Sequence, residues 1–160
     1  MENPVLLTFA IFFHDIVYDS SSSTNERDSV EVFKKFCSDA GSALSSNEVQ
    51  TVCDWIMLTA EHHSDKEIEG DCALFLDCDL AVLALPFPQY SKYSEGIRRE
   101  YCLFDAKTFA VKRTQALKTL LASKVIFHTP EIRDRLESAA RKNMQQEQKF
   151  LEMTTRVLKD

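Results

Sequence analysis

Ser45-Ser46-Asn47-Glu48-Val49-Gln50-Thr51-Val52-Cys53-Asp54-Trp55-Ile56-Met57-Leu58-Thr59-Ala60 is the stretch that sets the fold class. Val49, Val52, Cys53, Ile56, Met57 and Ala60 recur at intervals of three and four. That spacing gathers side chains on one face of an α-helix and would scatter them over both faces of a strand. Ser45 with Glu48 has the pattern of a capping box, in which a serine oxygen and a glutamate carboxylate satisfy N–H groups that the first helical turn leaves open.

The same grammar extends in both directions. Towards the N-terminus, Val30, Phe33, Phe36 and Cys37 share a face of a helix that starts near Thr24 or Asn25, runs to about Ala40 and stops at Gly41. Ahead of it, Asn3 and Pro4 open a helix predicted over Val5 to Val17. It is apolar on nearly every side and therefore expected to be buried. Asp19 and serines 20–23 form a polar loop between the two. Towards the C-terminus, a charged connector over 64–71 leads into an apolar helix, Cys72 to Leu85, that carries Asp77 and Asp79. Pro86 to Pro88 breaks it. Gln89 to about Leu103 and Ala106 to Ser123 follow as helices, and Thr129 with Pro130 opens a last one reaching about Val157. Seven helices without a strand pair or a repeat predict an all-α, bundle-like single domain over residues 1–160.

Composition agrees. The chain has 160 residues, 44% of them apolar, with three glycines and four prolines, which suits a helix-rich globule with one core. A net charge of −6 argues against sequence-independent nucleic-acid binding, which needs a field of cations, and favours a small-molecule ligand. The five cysteines are odd in number and include no CxxC pair, so neither a disulfide framework nor a zinc knuckle is written here, and a reduced, cytoplasmic chain is expected. The apolar opening lacks a basic leader and is too short to span a bilayer.

Three places carry polar chemistry at core positions. His14 and Asp15 end the apolar first helix, where a desolvated carboxylate is costly unless it is hydrogen-bonded or holds a cation. The pair is either structural or a ligand pair. Asp77 and Asp79, two residues apart, point to different sides of their helix, so one would be a ligand and the other a cap or a supporting partner; a solvated stripe is the competing reading. His62 and His63 close the third helix, where the helix dipole alone favours an imidazolium, with ligation by His62 the alternative.

The strings Phe13-His14-Asp15-Ile16-Val17-Tyr18-Asp19, Asn25-Glu26, Thr59-Ala60-Glu61-His62, Leu76-Asp77-Cys78-Asp79-Leu80, Tyr90 with Tyr93, and Ile97-Arg98-Arg99-Glu100-Tyr101 together resemble the metal-dependent phosphohydrolases of the HD superfamily. The resemblance continues weakly through Arg113 and through Glu137, Arg141 and Asn143. It implies an all-α fold in which a histidine, a His-Asp pair and a later aspartate hold a divalent ion. His14 and Asp15 match the pair, and Asp79 matches the later aspartate better than Asp77 because Leu80 and Leu83 fit the pattern that follows. The family's first histidine lies upstream of the pair, and none of the thirteen residues before His14 is a histidine, so the domain reads as shortened at its N-terminus.

The activity so implied is hydrolysis of a phosphate ester, with a nucleotide as the leading substrate class and Mn, Mg, Fe or Zn as the ion. His14, Asp15 and Asp79 would be the ligands, helped by His62. Asp19 or Glu26 would orient or deprotonate the attacking water, and Arg98, Arg113 or Arg141 would clamp phosphate oxygens. The alternative is an HD-fold binding or scaffold domain whose catalysis is impaired or lost. A third reading makes the last helix a partner-binding surface, against which its evenly mixed charges suggest a solvated face.

Overall fold

The computed structural model describes residues 2–41, 43–61 and 68–157. All the regular structure among them is helical: α1 (Pro4–Phe13), α2 (Asn25–Asp39), α3 (Ser46–Leu58), α4 (Gly70–Leu80), α5 (Phe87–Glu100), α6 (Ala106–Ala122) and α7 (Pro130–Val157), with short 3-10 turns at Thr59–Glu61 and Ala81–Ala84. The expected all-α architecture of seven helices is what the chain forms. Its contacts fall into two compact units, residues 2–61 with 68–76 and residues 77–157, the division running through α4. No helix among the described residues is long and apolar enough to cross a membrane.

In the first unit α1, α2 and α3 pack around Leu7, Ala10, Val30, Phe33, Val52 and Ile56, joined by Phe75 and Leu76 of α4. The capping box forms as read: Ser45 Oγ accepts from Glu48 N–H at 3.3 Å, and Ser45 N–H donates to the Glu48 carboxylate at 2.8 Å. Phe9, Phe13, Phe33 and Phe36 make a tilted aromatic cluster, with Phe13 5.2 Å from both Phe33 and Phe36. Asp71, at the start of α4, accepts from the Glu2 and Asn3 N–H groups and so ties down the chain leading into α1.

Two expectations for α1 are corrected. The helix stops at Phe13 instead of Val17, because Val17 finds its hydrogen bonds elsewhere: the buried Ser29 hydroxyl accepts from Val17 N–H at 3.2 Å and donates to its carbonyl at 3.3 Å. Nor is α1 buried all round. Leu6, Leu7 and Ala10 face the core, while Val5, Ile11 and Phe12 are exposed.

In the second unit α6 and α7 pack with α5 and the 3-10 turn around Leu83, Tyr90, Leu117, Ile126, Phe127, Ala140 and Met144. The apolar segment expected as one helix to Leu85 ends its α-helix at Leu80. The amide of Asn143 donates to the carbonyls of Leu83 and Leu85 at 2.9 and 2.8 Å, and Leu85 is extended (ψ 154°), as a residue before proline prefers. Helix α5 begins at Phe87 and takes in Pro88, since a proline in the first turn surrenders no helical hydrogen bond.

The entry to α7 is set from a distance. Thr129 occupies the cap position, its carbonyl accepting from Arg133 N–H at 2.9 Å, but the carboxylate serving the N–H groups there is Asp77. Fully buried in α4, Asp77 accepts from His128 N–H at 2.6 Å and Thr129 N–H at 2.8 Å. Of the two carboxylates on α4, Asp77 is thus the cap. Asp77→Ala would leave two backbone donors without their charged acceptor and is expected to cost about 3 kcal/mol in urea denaturation, with Asp77→Asn intermediate. A loss under about 1 kcal/mol for Asp77→Ala would show that α7 is seated by packing alone.

Candidate functional site

His14 is the residue that terminates α1, its N–H donating to Ala10 O at 3.0 Å. Because the helix ends there, the carbonyl of Ile11 is open to a side chain, and His14 Nδ1 lies 2.9 Å from it. A carbonyl can only accept, so Nδ1 carries the proton, and in the neutral ring Nε2 is left as an acceptor. The ring stands edge-on to Phe75, with centroids 5.6 Å apart at 83°, which fixes its plane. Nε2 faces Asp15 Oδ2 at 3.4 Å. The imidazole is mostly covered, with 18% of the side chain exposed, whereas Asp15 at 61% reaches into solvent.

That geometry has a chemical meaning. An unprotonated Nε2 and a carboxylate oxygen are both acceptors, and at this separation they repel unless a proton or a cation lies between them. A tautomer fixed by a backbone carbonyl is also the arrangement that prepares a histidine for a metal. A ring protonated on both nitrogens makes the same contact an ion pair, and two side chains are fewer ligands than a metal site needs.

The other expected metal and catalytic residues are distributed as follows. Asp79 is half-buried in the last turn of α4 and belongs to the second unit, whereas His14 and Asp15 belong to the first. His62, with His63, lies outside the described residues. Among the described residues no group of three or more His, Cys, Asp or Glu side chains is disposed to hold a metal. Asp19 accepts from Ser21 N–H at 2.8 Å and Ser21 Oγ at 2.7 Å, and these bonds hold its carboxyl below the ordinary range. Such a carboxylate is a loop brace and a weak base. Glu26 is half-buried in the first turn of α2.

All three arginines expected to clamp phosphate have intramolecular work within the second unit. Arg98 donates to the carbonyls of Tyr101 and Phe104 at 2.9 and 3.0 Å, and its guanidinium lies 4.9 Å from the Phe109 ring centroid. Arg141 donates to Glu137 at 2.7 Å and to the carbonyls of Leu121 and Ser123, both at 2.9 Å. Arg113 pairs with the buried Glu147, Nε to Oε1 at 2.9 Å.

Around that last pair lies a network that the sequence reading did not assemble. Tyr90 OH donates to Glu147 Oε2, and Arg113 lies over the Tyr93 ring, 6.0 Å from its centroid. Burial and the neighbouring Glu147 push the Tyr90 phenol far above its usual value. Burial also works to raise the Glu147 carboxyl, but the hydrogen bonds and charge of Arg113, with the Tyr90 phenol, outweigh it and hold Glu147 below its usual value. A signal existed: Glu147 falls among Ala140, Met144 and Leu151, a carboxylate at a core position of α7.

Protein-family models, curated proteins and solved structures were compared with the chain, and none matches it.

Because Glu147 is held below its unfolded value of 4.5, its stabilising contribution is complete above that pH and drains away as the pH falls through the folded value. Glu147→Gln would remove this acid dependence and leave Arg113 buried beside a neutral amide, at a cost of about 3 kcal/mol in chemical denaturation at pH 7. An unchanged slope of stability against pH between about 3 and 5 in the variant would show that other carboxylates govern acid unfolding.

Proposed function

We propose that this chain carries a metal-dependent phosphohydrolase domain of the HD type, acting on a phosphate ester, with nucleotides the first class to test. The observation that supports the reading is the approach of His14 Nε2 to Asp15 Oδ2 at 3.4 Å, with Nδ1 directed at Ile11 O. A divalent cation would supply charge stabilisation at a phosphoryl oxygen and lower the pKa of water. Its identity, Mn, Mg, Fe or Zn, is set by the full donor set, for which His62 is a further candidate.

The chain's own side chains have narrower parts to play. His14 and Asp15 bind. Asp19, with its lowered carboxyl, suits bracing of the loop over 19–25, which leaves Glu26 to orient the attacking water. Arg98, Arg113 and Arg141 already hold bonds inside the second unit, so their share in substrate binding would be secondary. All five cysteines are free thiols, in keeping with the cytoplasmic setting proposed here.

A second reading has a specific observation behind it. With all three candidate arginines engaged internally, the chain would serve as an HD-fold binding or scaffold domain whose catalysis is impaired. The two readings separate by titrating the purified chain with Mn²⁺ and Zn²⁺ and assaying release of phosphate from a panel of nucleoside mono- and triphosphates. The enzyme reading expects about one ion bound, a turnover lost on His14→Ala and Asp15→Asn, and a shift of the His14 Nε2 nitrogen resonance on metal addition. Absence of both binding and turnover would leave the scaffold reading standing.

A further inference from the structure

Two side chains of α2 grip the backbone of the segment that follows His14 and Asp15. The Ser29 hydroxyl accepts from Val17 N–H at 3.2 Å and donates to the Val17 carbonyl at 3.3 Å. One turn earlier on α2, the Asn25 carboxamide does the same for Asp19. Its oxygen accepts from Asp19 N–H at 3.0 Å, and its nitrogen donates to the Asp19 carbonyl at 2.9 Å. The registers agree for a geometric reason. Four residues of helix advance about 6 Å, and two residues of drawn-out chain span about 6.5 Å, so side chains four apart on a helix can serve alternate residues of a segment beside it. Ser29 is fully buried, where an unpaired hydroxyl is costly, and the grip on Val17 is what satisfies it.

Upstream of the grips lies a turn. Ile16 N–H donates to Phe13 O at 3.3 Å, which leaves His14 and Asp15 as its two central residues. The turn is therefore strung between α1, which ends at Phe13, and a residue fastened to α2. A segment fastened at one residue can pivot about it, and a second fastening two residues on stops the rotation. We infer that Asn25 and Ser29 are positioning residues for His14 and Asp15, a splint that keeps the turn in place before any cation arrives. The inference rests on the reading of that pair as the centre of the site proposed above. Its two halves are unequal: the Ser29 bonds are partly buried, whereas the Asn25 bonds face solvent and compete with water.

The test uses the whole chain, isotope-labelled and free of metal, at about pH 8, where an imidazole is neutral. The parent is expected to show a nuclear Overhauser contact between the His14 and Phe75 rings and the nitrogen shifts of a ring protonated at Nδ1. Asn25→Ala combined with Ser29→Ala should weaken the ring contact severalfold, average the two nitrogen shifts, and speed amide exchange at Val17 and Asp19 by about tenfold or more. Titrated with Zn²⁺, the double variant should bind about ten to a hundredfold more weakly than the parent. Ser45→Ala loosens the same unit through the α3 cap and should leave the ring contact and the Zn²⁺ affinity unchanged, which separates positioning from lost stability. Asn25→Asp keeps an acceptor for Asp19 N–H and should fall between the parent and Asn25→Ala. If Ser29→Ala does not fold, Asn25→Ala carries the same comparison with a smaller loss, since its bonds are exposed. A ring contact undiminished in the folded variants, or diminished as much by Ser45→Ala, would overturn the inference. A parent that takes up no Zn²⁺ would count against the metal reading alone and leave the ring contact, read without metal, to decide this one.

Discussion

A buried carboxylate with two backbone donors to satisfy is the constraint on which the second unit hangs. Asp77 sits in the last turn of α4 with no solvent to stabilise its charge, and the chain resolves this by bringing the loop before α7 to it. The charge and the N–H groups are individually costly to bury and mutually compensating, so neither is tolerable without the other. This single link joins residues 51 and 52 positions apart and fixes where the 28-residue α7 begins. Once its start is set, Asn143 meets the carbonyls of Leu83 and Leu85, and Glu147 meets Arg113 and Tyr90.

The same economy explains why so many charged side chains of this unit are unavailable to a ligand. The segment from Ser123 to Thr129 has no repeating hydrogen-bond pattern of its own, and side chains supply partners for it and for the end of α6: Arg141 for the carbonyls of Leu121 and Ser123, Glu137 for the N–H groups of Ile126 and Phe127, Arg133 for the carbonyls of Phe127 and His128. Backbone groups in a semi-buried loop must be paired, and long charged side chains from the next helix are well placed to do it. A guanidinium used in this way looks the same in sequence as one awaiting phosphate.

Where local periodicity governs, the sequence was readable. The three-four spacing of α3 with its Ser45–Glu48 box, the extent of α2 and the reach of α7 to Val157 all follow from neighbours within a turn or two. Where a residue's fate depends on a partner far along the chain, it was not. Val17 looks helical until Ser29 claims both its backbone groups, and the helix expected to reach Leu85 tightens because Asn143, 58 and 60 positions on, takes its carbonyls. The two α4 carboxylates were divided between a cap and a ligand role from their angular separation alone, and the cap proved to be Asp77. Of the candidate site, the adjacency of His14 and Asp15 was legible and the orientation of the ring was not, because that orientation comes from where α1 stops.

That stopping point has a consequence for how the imidazole is held. The Ile11 oxygen that takes the ring proton is the one that the amide of residue 15 would meet if α1 ran one residue further, since an α-helix pairs each carbonyl with the amide four residues on. The end of the helix and the imidazole proton therefore meet at one oxygen, which has two lone pairs to offer. Where α1 ends thus decides which backbone group the imidazole meets first.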